Sequence, residues 1–137
     1  MSIRSEDLHA VLDYALGFAL VVSPWLFAFN YGGSEMYVPI VCGIVVVCYS
    51  LVTNYRLSLA KVISLRMNLA LDQIVGGFLI FSPWLLGFAD ASGYGVSRGV
   101  WMPHVILGLA LAISGGFSMW RRVKPTPAAE APPERRL

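Results

Sequence analysis

The sequence predicts an all-α membrane protein, with four transmembrane helices forming two tandem, parallel helical-hairpin repeats. Three observations carry that expectation. The 137-residue chain is 57% hydrophobic and only 13% charged, with a mean hydropathy of +0.67, well away from a soluble composition. Four stretches, 8–29, 37–54, 69–89 and 101–120, carry almost no charge; each is about 18–22 residues long, close to the ~20 that cross a hydrocarbon core. The first of these stretches also recurs, in altered form, as the third.

The leading segment, 1–9, carries Arg4 against Glu6 and Asp7 and precedes an apolar run longer than a usual signal-peptide core. It is expected to be a retained cytoplasmic segment. The first hairpin spans 10–54 and the second 69–120, joined by a basic connector, 55–68, and followed by a tail, 121–137. With four spans, both termini and the connector share one side of the membrane. That side holds Arg4, Arg56, Lys61, Arg66, Arg121, Arg122, Lys124, Arg135 and Arg136, and the other side only Arg98. Excess Lys and Arg mark the cytoplasmic side, so both ends are expected in the cytoplasm. The net charge of +2 therefore reflects topology and implies no nucleic-acid partner. Trp25, Tyr31, Tyr37, Trp84, Tyr94 and Trp101 cluster toward the outer boundary, and Tyr14, Tyr55 and Trp120 toward the inner one, as rings at headgroup depth do.

The repeat is explicit in residues 13–29 and 72–88. Asp13, Gly17, Leu20, Ser23, Pro24, Trp25, Leu26 and Phe29 are identical to Asp72, Gly76, Leu79, Ser82, Pro83, Trp84, Leu85 and Phe88. The second helices also correspond, "YVPIVCG" at 37–43 with "WMPHVILG" at 101–108, aligned on Pro39 and Pro103. Helices 1 and 3 thus run the same way, which implies a pseudo-twofold axis along the membrane normal and not an inverted repeat.

The doubled Ser-Pro-Trp, with its upstream glycine and downstream Leu-x-x-Phe, resembles the SPW-repeat family of small bacterial membrane proteins over about residues 8–120. The resemblance implies fold and location and carries no biochemical activity with it.

Physically, Pro24 and Pro83 leave the carbonyls of Leu20 and Leu79 without their helical donors, which hydrocarbon tolerates only if another group satisfies them. Ser23 and Ser82 are placed either to bond back to the preceding turn or to cap a short new helix. The pair is expected to kink two equivalent helices, with Trp25 and Trp84 setting depth. A site where the opened backbone holds a ligand or ion is the sharper alternative. Gly17, Gly43, Gly76, Gly77, Gly108 and Gly116 allow close helix approach. Gly108, Ala112 and Gly116 form a small-xxx-small ridge on helix 4, expected to pack inside the bundle.

Asp13 and Asp72 are the candidate polar or ion site. Each lies about one turn inside its helix, with His9 and Asn68 four residues earlier on the same face. They are expected near the cytoplasmic boundary, within reach of water, either bridging helix ends toward Arg4 or Arg66 or handling protons or cations. His9 and His104 raise a haem site, but helix rise separates their levels by roughly 30 Å, which excludes a shared iron. Cys42 and Cys48, about 9 Å apart along one helix, read as core or lipid-facing residues. No metal-ligand cluster, nucleotide loop or catalytic signature is apparent, so no metal, cofactor or catalytic residue is expected. The connector, "YRLSLAKVISLRMN", alternates cationic and apolar residues over helical turns, suiting the membrane interface. The Pro/Ala-rich tail is expected to be flexible alone.

The functional expectation is a non-catalytic accessory or self-associating scaffold protein, in contact with membrane lipids and with other membrane subunits or itself. A small transporter or channel using Asp13 and Asp72 is the alternative. A membrane enzyme has only separated histidines and unpaired cysteines behind it.

Overall fold

A computed structural model describes residues 5–54, 58–90 and 99–123, and these form four α-helices: α1 (Ser5–Leu26), α2 (Ser34–Leu51), α3 (Leu65–Leu85) and α4 (Trp101–Val123). Helices α1 and α2 pack as one hairpin and α3 and α4 as the other, with α1–α4 and α2–α3 contacts closing the ring. Three helices contain stretches long and apolar enough to cross a membrane, Asp7–Leu26, Ser34–Leu51 and Trp101–Trp120. The fourth, α3, is less apolar because Asn68, Asp72 and Gln73 fall in its first half. Asn68 and Asp72 are buried, whereas Ile74, Phe78, Phe81 and Leu85 remain exposed. The polar groups of α3 therefore face protein and its outer side can still face lipid.

Each hairpin closes at a glycine pair. A Cβ on Gly43 would lie 2.5 Å from the Gly17 carbonyl oxygen, and one on Gly108 would lie 2.8 Å from that of Gly76. The bare backbones touch there, as small residues permit in lipid, where helices associate by packing. Because Gly43 and Gly108 occupy the equivalent crossings, the second helices correspond at a spacing of 65 residues. The proline alignment of Pro39 with Pro103 gives 64, so it is one residue out of structural register. Between the crossings lies a core of Leu20, Cys42, Val46, Tyr49, Leu79 and Leu111. Cys42 belongs to it and Cys48 is exposed, both as free thiols. Gly77 has no neighbour within 4 Å of where its Cβ would be, so it does not serve close approach within the bundle.

The two Ser-Pro-Trp segments lie in the last turns of α1 and α3 and do not form mid-helix bends. Ser23 Oγ donates to the Leu20 carbonyl at 2.8 Å, and Ser82 Oγ to that of Leu79 at 2.9 Å. Back-bonding, and not the capping of a new helix, thus satisfies the carbonyls that proline leaves open. The chain then turns. Phe29 N–H donates to the Pro24 carbonyl and Phe88 N–H to that of Pro83, at 2.8 and 2.9 Å. Ala28 and Gly87 adopt positive φ, 54° and 74°, completing a Schellman-type ending in both repeats. Glycine suits that conformation, whereas Ala28 adopts it at a cost of about 1 kcal/mol. The two spans therefore stop at Leu26 and Leu85, about three residues short of the apolar runs.

The described part of the connector that precedes α3 is not helical. Residues 58–64 fold back on the end of α2, where Leu59 and Val62 N–H donate to the Leu51 and Val52 carbonyls at 2.9 Å. Orphaned C-terminal carbonyls supply these partners, which outweigh the connector's periodicity. Ser64 then caps α3, accepting from Met67 N–H at 3.3 Å. Leu59 and Val62 are left exposed. Arg4, Tyr55, Arg56, Tyr94, Arg98 and the tail beyond Val123 lie outside the described residues.

The glycine crossings yield a direct test. Gly43→Ala is expected to cost about 1–3 kcal/mol through forced backbone separation, seen as a lower melting temperature in detergent. Gly77→Ala, with open space around it, should leave stability unchanged or slightly raised.

Candidate functional site

The site is built at the end of the bundle where α1 and α3 begin and α2 ends. Residues 9, 13 and 17 share a face of α1, and 68, 72 and 76 share the matching face of α3, by helical spacing. The glycine at the third position of each set meets its hairpin partner, which turns the other two positions inward. His9, Asp13, Asn68 and Asp72 consequently converge, with Tyr49 and Ser50 arriving from α2 and Thr53 from just beyond its end. All seven are buried, with Asp13 and Asp72 at 0% exposure. The two aspartates are therefore sealed inside the bundle, and not in contact with water or headgroups as their depth in the sequence suggested. Arg66 is exposed, and the groups bridging the helices are neutral donors and an imidazole. The Arg4 alternative lies outside the described residues.

Each carboxylate is held at one oxygen by a hydroxyl. Ser50 donates to Asp13 Oδ2 at 3.1 Å, and Tyr49 donates to Asp72 Oδ1 through a short bond. The Asn68 amide spans the pair, donating to Asp13 Oδ2 at 2.8 Å and lying 3.4 Å from Asp72 Oδ2. Its carbonyl oxygen is 2.7 Å from Thr53 Oγ1, which also lies 2.7 Å from the Tyr49 carbonyl. His9 Nε2 faces both acids, 3.5 Å from Asp13 Oδ1 and 3.1 Å from Asp72 Oδ2. Its Nδ1 sits 3.1 and 3.3 Å from the hydroxyls of Ser114 and Ser118 on α4. The cluster thereby draws on all four helices, and most of its bonds cross between the hairpins.

Burying a carboxylate is expensive unless charge and hydrogen bonding compensate it. Here two carboxylates share one imidazole, one amide and two hydroxyls. His9, Asp13 and Asp72 also place one donor atom each within 4.8 Å of one another. A metal-ligand grouping is thus present in space although no linear motif announces it, because its members come from positions 9, 13 and 72. The spacing of Asp13 and Asp72 pointed to the pair. Nothing in the sequence pointed to Tyr49, Ser50, Thr53, Ser114 or Ser118, which are ordinary small polar or aromatic residues until the fold aligns them.

A second polar joint closes the opposite end. His104 Nδ1 lies 2.9 Å from the Val100 carbonyl and Nε2 3.0 Å from that of Glu35. The ring is flanked by Phe29 and Phe88, centroids 5.4 and 4.9 Å away. These are the last matched residues of the two repeats, so His104 ties both hairpin ends to α4. It is at the far end from His9, and the two histidines share no site. Trp84 packs on Trp101 at 6.1 Å, while Trp25 and Trp84 are half exposed on the outer surface. The small-residue ridge of α4 packs against α3. A Cβ on Gly76 would lie 2.9 Å from Ala112 N, one on Gly116 would lie 3.4 Å from Gln73 Nε2, and Gln73 donates to the Ala112 carbonyl.

The family model described as the SPW repeat domain matches residues 7–118, which takes in both hairpins and the whole cluster. Curated proteins and solved structures gave no match.

Asn68 is the cluster's most connected neutral residue, so its loss is informative. Asn68→Leu keeps approximate volume but leaves buried acceptors without their donor, a penalty of about 1–3 kcal/mol. The variant should melt at lower temperature in detergent, whereas Met67→Leu beside it on the exposed side should melt like the parent.

Proposed function

The chain belongs to the SPW-repeat family, and on that premise we propose that it is a non-catalytic membrane scaffold or accessory subunit. Its place is the bacterial cytoplasmic membrane, with both termini in the cytoplasm. The observation that carries this reading is the division of labour in the bundle. The inward polar side chains of both ends hold one hairpin to the other, while the outward surface is apolar on all four helices. Phe18, Leu26, Val41, Ile74, Phe81, Ile106 and Ile113 are each more than half exposed, a surface suited to lipid tails and to the helices of another membrane protein or a second copy. Nine of the ten Lys and Arg residues fall on one side of the four-span topology, which supports the proposed orientation.

Purification in mild detergent tests the reading. The untruncated protein should bring down a defined membrane partner in constant ratio, or migrate as a fixed oligomer. A lone monomer across several mild detergents would count against it.

The convergence of Asp13, Asp72 and His9 favours one second reading, a small ion or proton carrier. It predicts an ion-dependent flux in liposomes that disappears in the Asp13→Asn, Asp72→Asn double variant. Flux equal to that of empty liposomes would remove it.

A further inference from the structure

We propose that His9, Asp13 and Asp72 form a resident site for one divalent transition-metal ion of the zinc type, serving as a structural bolt between the two hairpins. The proposal goes beyond the scaffold reading and does not depend on which partner the protein meets.

Donor chemistry is the first support. One imidazole nitrogen and two carboxylate oxygens form a mixed N/O set suited to Zn2+, Mn2+ or Fe2+. Donors bound to a common ion at about 2.0–2.2 Å stand roughly 3.0–3.5 Å from each other. The two separations from His9 Nε2, 3.1 and 3.5 Å, fall in that range.

The surrounding bonds are the second support, because they aim the ligands and leave the facing atoms to one another. Asp13 is gripped at Oδ2 by Ser50 and Asn68, and turns Oδ1 toward His9. Asp72 is gripped at Oδ1 by Tyr49 and turns Oδ2 toward His9. The imidazole is held from behind by Ser114 and Ser118 at Nδ1. A serine hydroxyl accepts as readily as it donates. With Nδ1–H donating to Ser114 Oγ, the Nε2 lone pair is presented to an ion, as in most histidine metal sites.

Charge supplies the third support. Two carboxylates with a neutral imidazole carry two negative charges, and a divalent ion makes the buried assembly neutral. That balance favours a divalent over a monovalent ion.

The test uses the full chain, without a histidine tag, in mild detergent. After loading with Co2+ and removal of excess, the wild type should hold about one ion per chain and show visible d–d absorption that Zn2+ abolishes. Zn2+ should raise the melting temperature and a chelator should lower it. His9→Ala and Asp72→Asn, compared where they elute like the wild type, should each weaken Co2+ binding by at least tenfold. Ser114→Ala with Ser118→Ala retains all three ligands and should weaken it less, by a few-fold to tenfold. The proposal is overturned if the folded wild type retains no Co2+ or Zn2+. It is equally overturned if well-folded His9→Ala and Asp72→Asn bind with wild-type affinity and spectrum.

Discussion

Asp13 and Asp72 come from the two repeats, yet they finish side by side at zero exposure around one imidazole and one amide. Everything else in the bundle follows from what that arrangement requires. Two buried acids in a lipid-facing protein must be surrounded by donors, and no single helix can surround them. Donors therefore arrive from α2 through Tyr49 and Ser50, while α4 braces the imidazole through Ser114 and Ser118. Apolar packing between helices gains little in lipid, because the tails outside are as apolar as leucine. Polar joints, and glycine crossings that bring backbones into contact, supply the specificity that a soluble bundle would take from its hydrophobic core.

The cluster also shows how an internal repeat becomes asymmetric without losing its frame. His9 and Asn68 occupy the same place in α1 and α3. His9 reaches across to Ser114 and Ser118, and Asn68 reaches across to Thr53. Thr53 and Ser118 correspond at the 65-residue spacing, as do Tyr49 and Ser114. The pseudo-twofold axis is thus kept by hydroxyl positions and by the aspartates, whereas the central ligand differs. One copy provides an aromatic nitrogen that can carry charge or bind a metal, and the other a neutral amide that cannot ionise. Duplication alone would have given two equal amides or two equal imidazoles.

At the other end, Ser-Pro-Trp does several local jobs in few residues. Serine occupies the carbonyl that proline exposes, the proline carbonyl accepts the Schellman-type bond, and tryptophan lies half exposed on the surface. The phenylalanine four positions after the tryptophan, Phe29 or Phe88, then swings inward onto His104. The motif therefore ends a helix and delivers an anchor to the joint that closes the bundle. Its repetition gives His104 a ring contact from each hairpin.

Composition and repetition were enough to establish an all-helical membrane protein, its two parallel hairpins, the equivalence of Asp13 with Asp72, and the carbonyls that proline would expose. These are properties of one helix or of a comparison between two, so they survive projection onto a line. The helix ends and the connector were less legible. The Schellman-type turns at Ala28 and Gly87 cut the apolar runs short, and the α2 carbonyls recruited residues 59–63 as caps. The burial of the aspartates and the grouping with His9 were decided only by tertiary structure. They depend on the rotation of α1 and α3 about their axes, which the contacts of Gly17 with Gly43 and of Gly76 with Gly108 impose. A few tens of degrees of rotation separate an acid facing headgroups from one sealed against a histidine, and no local pattern encodes that angle.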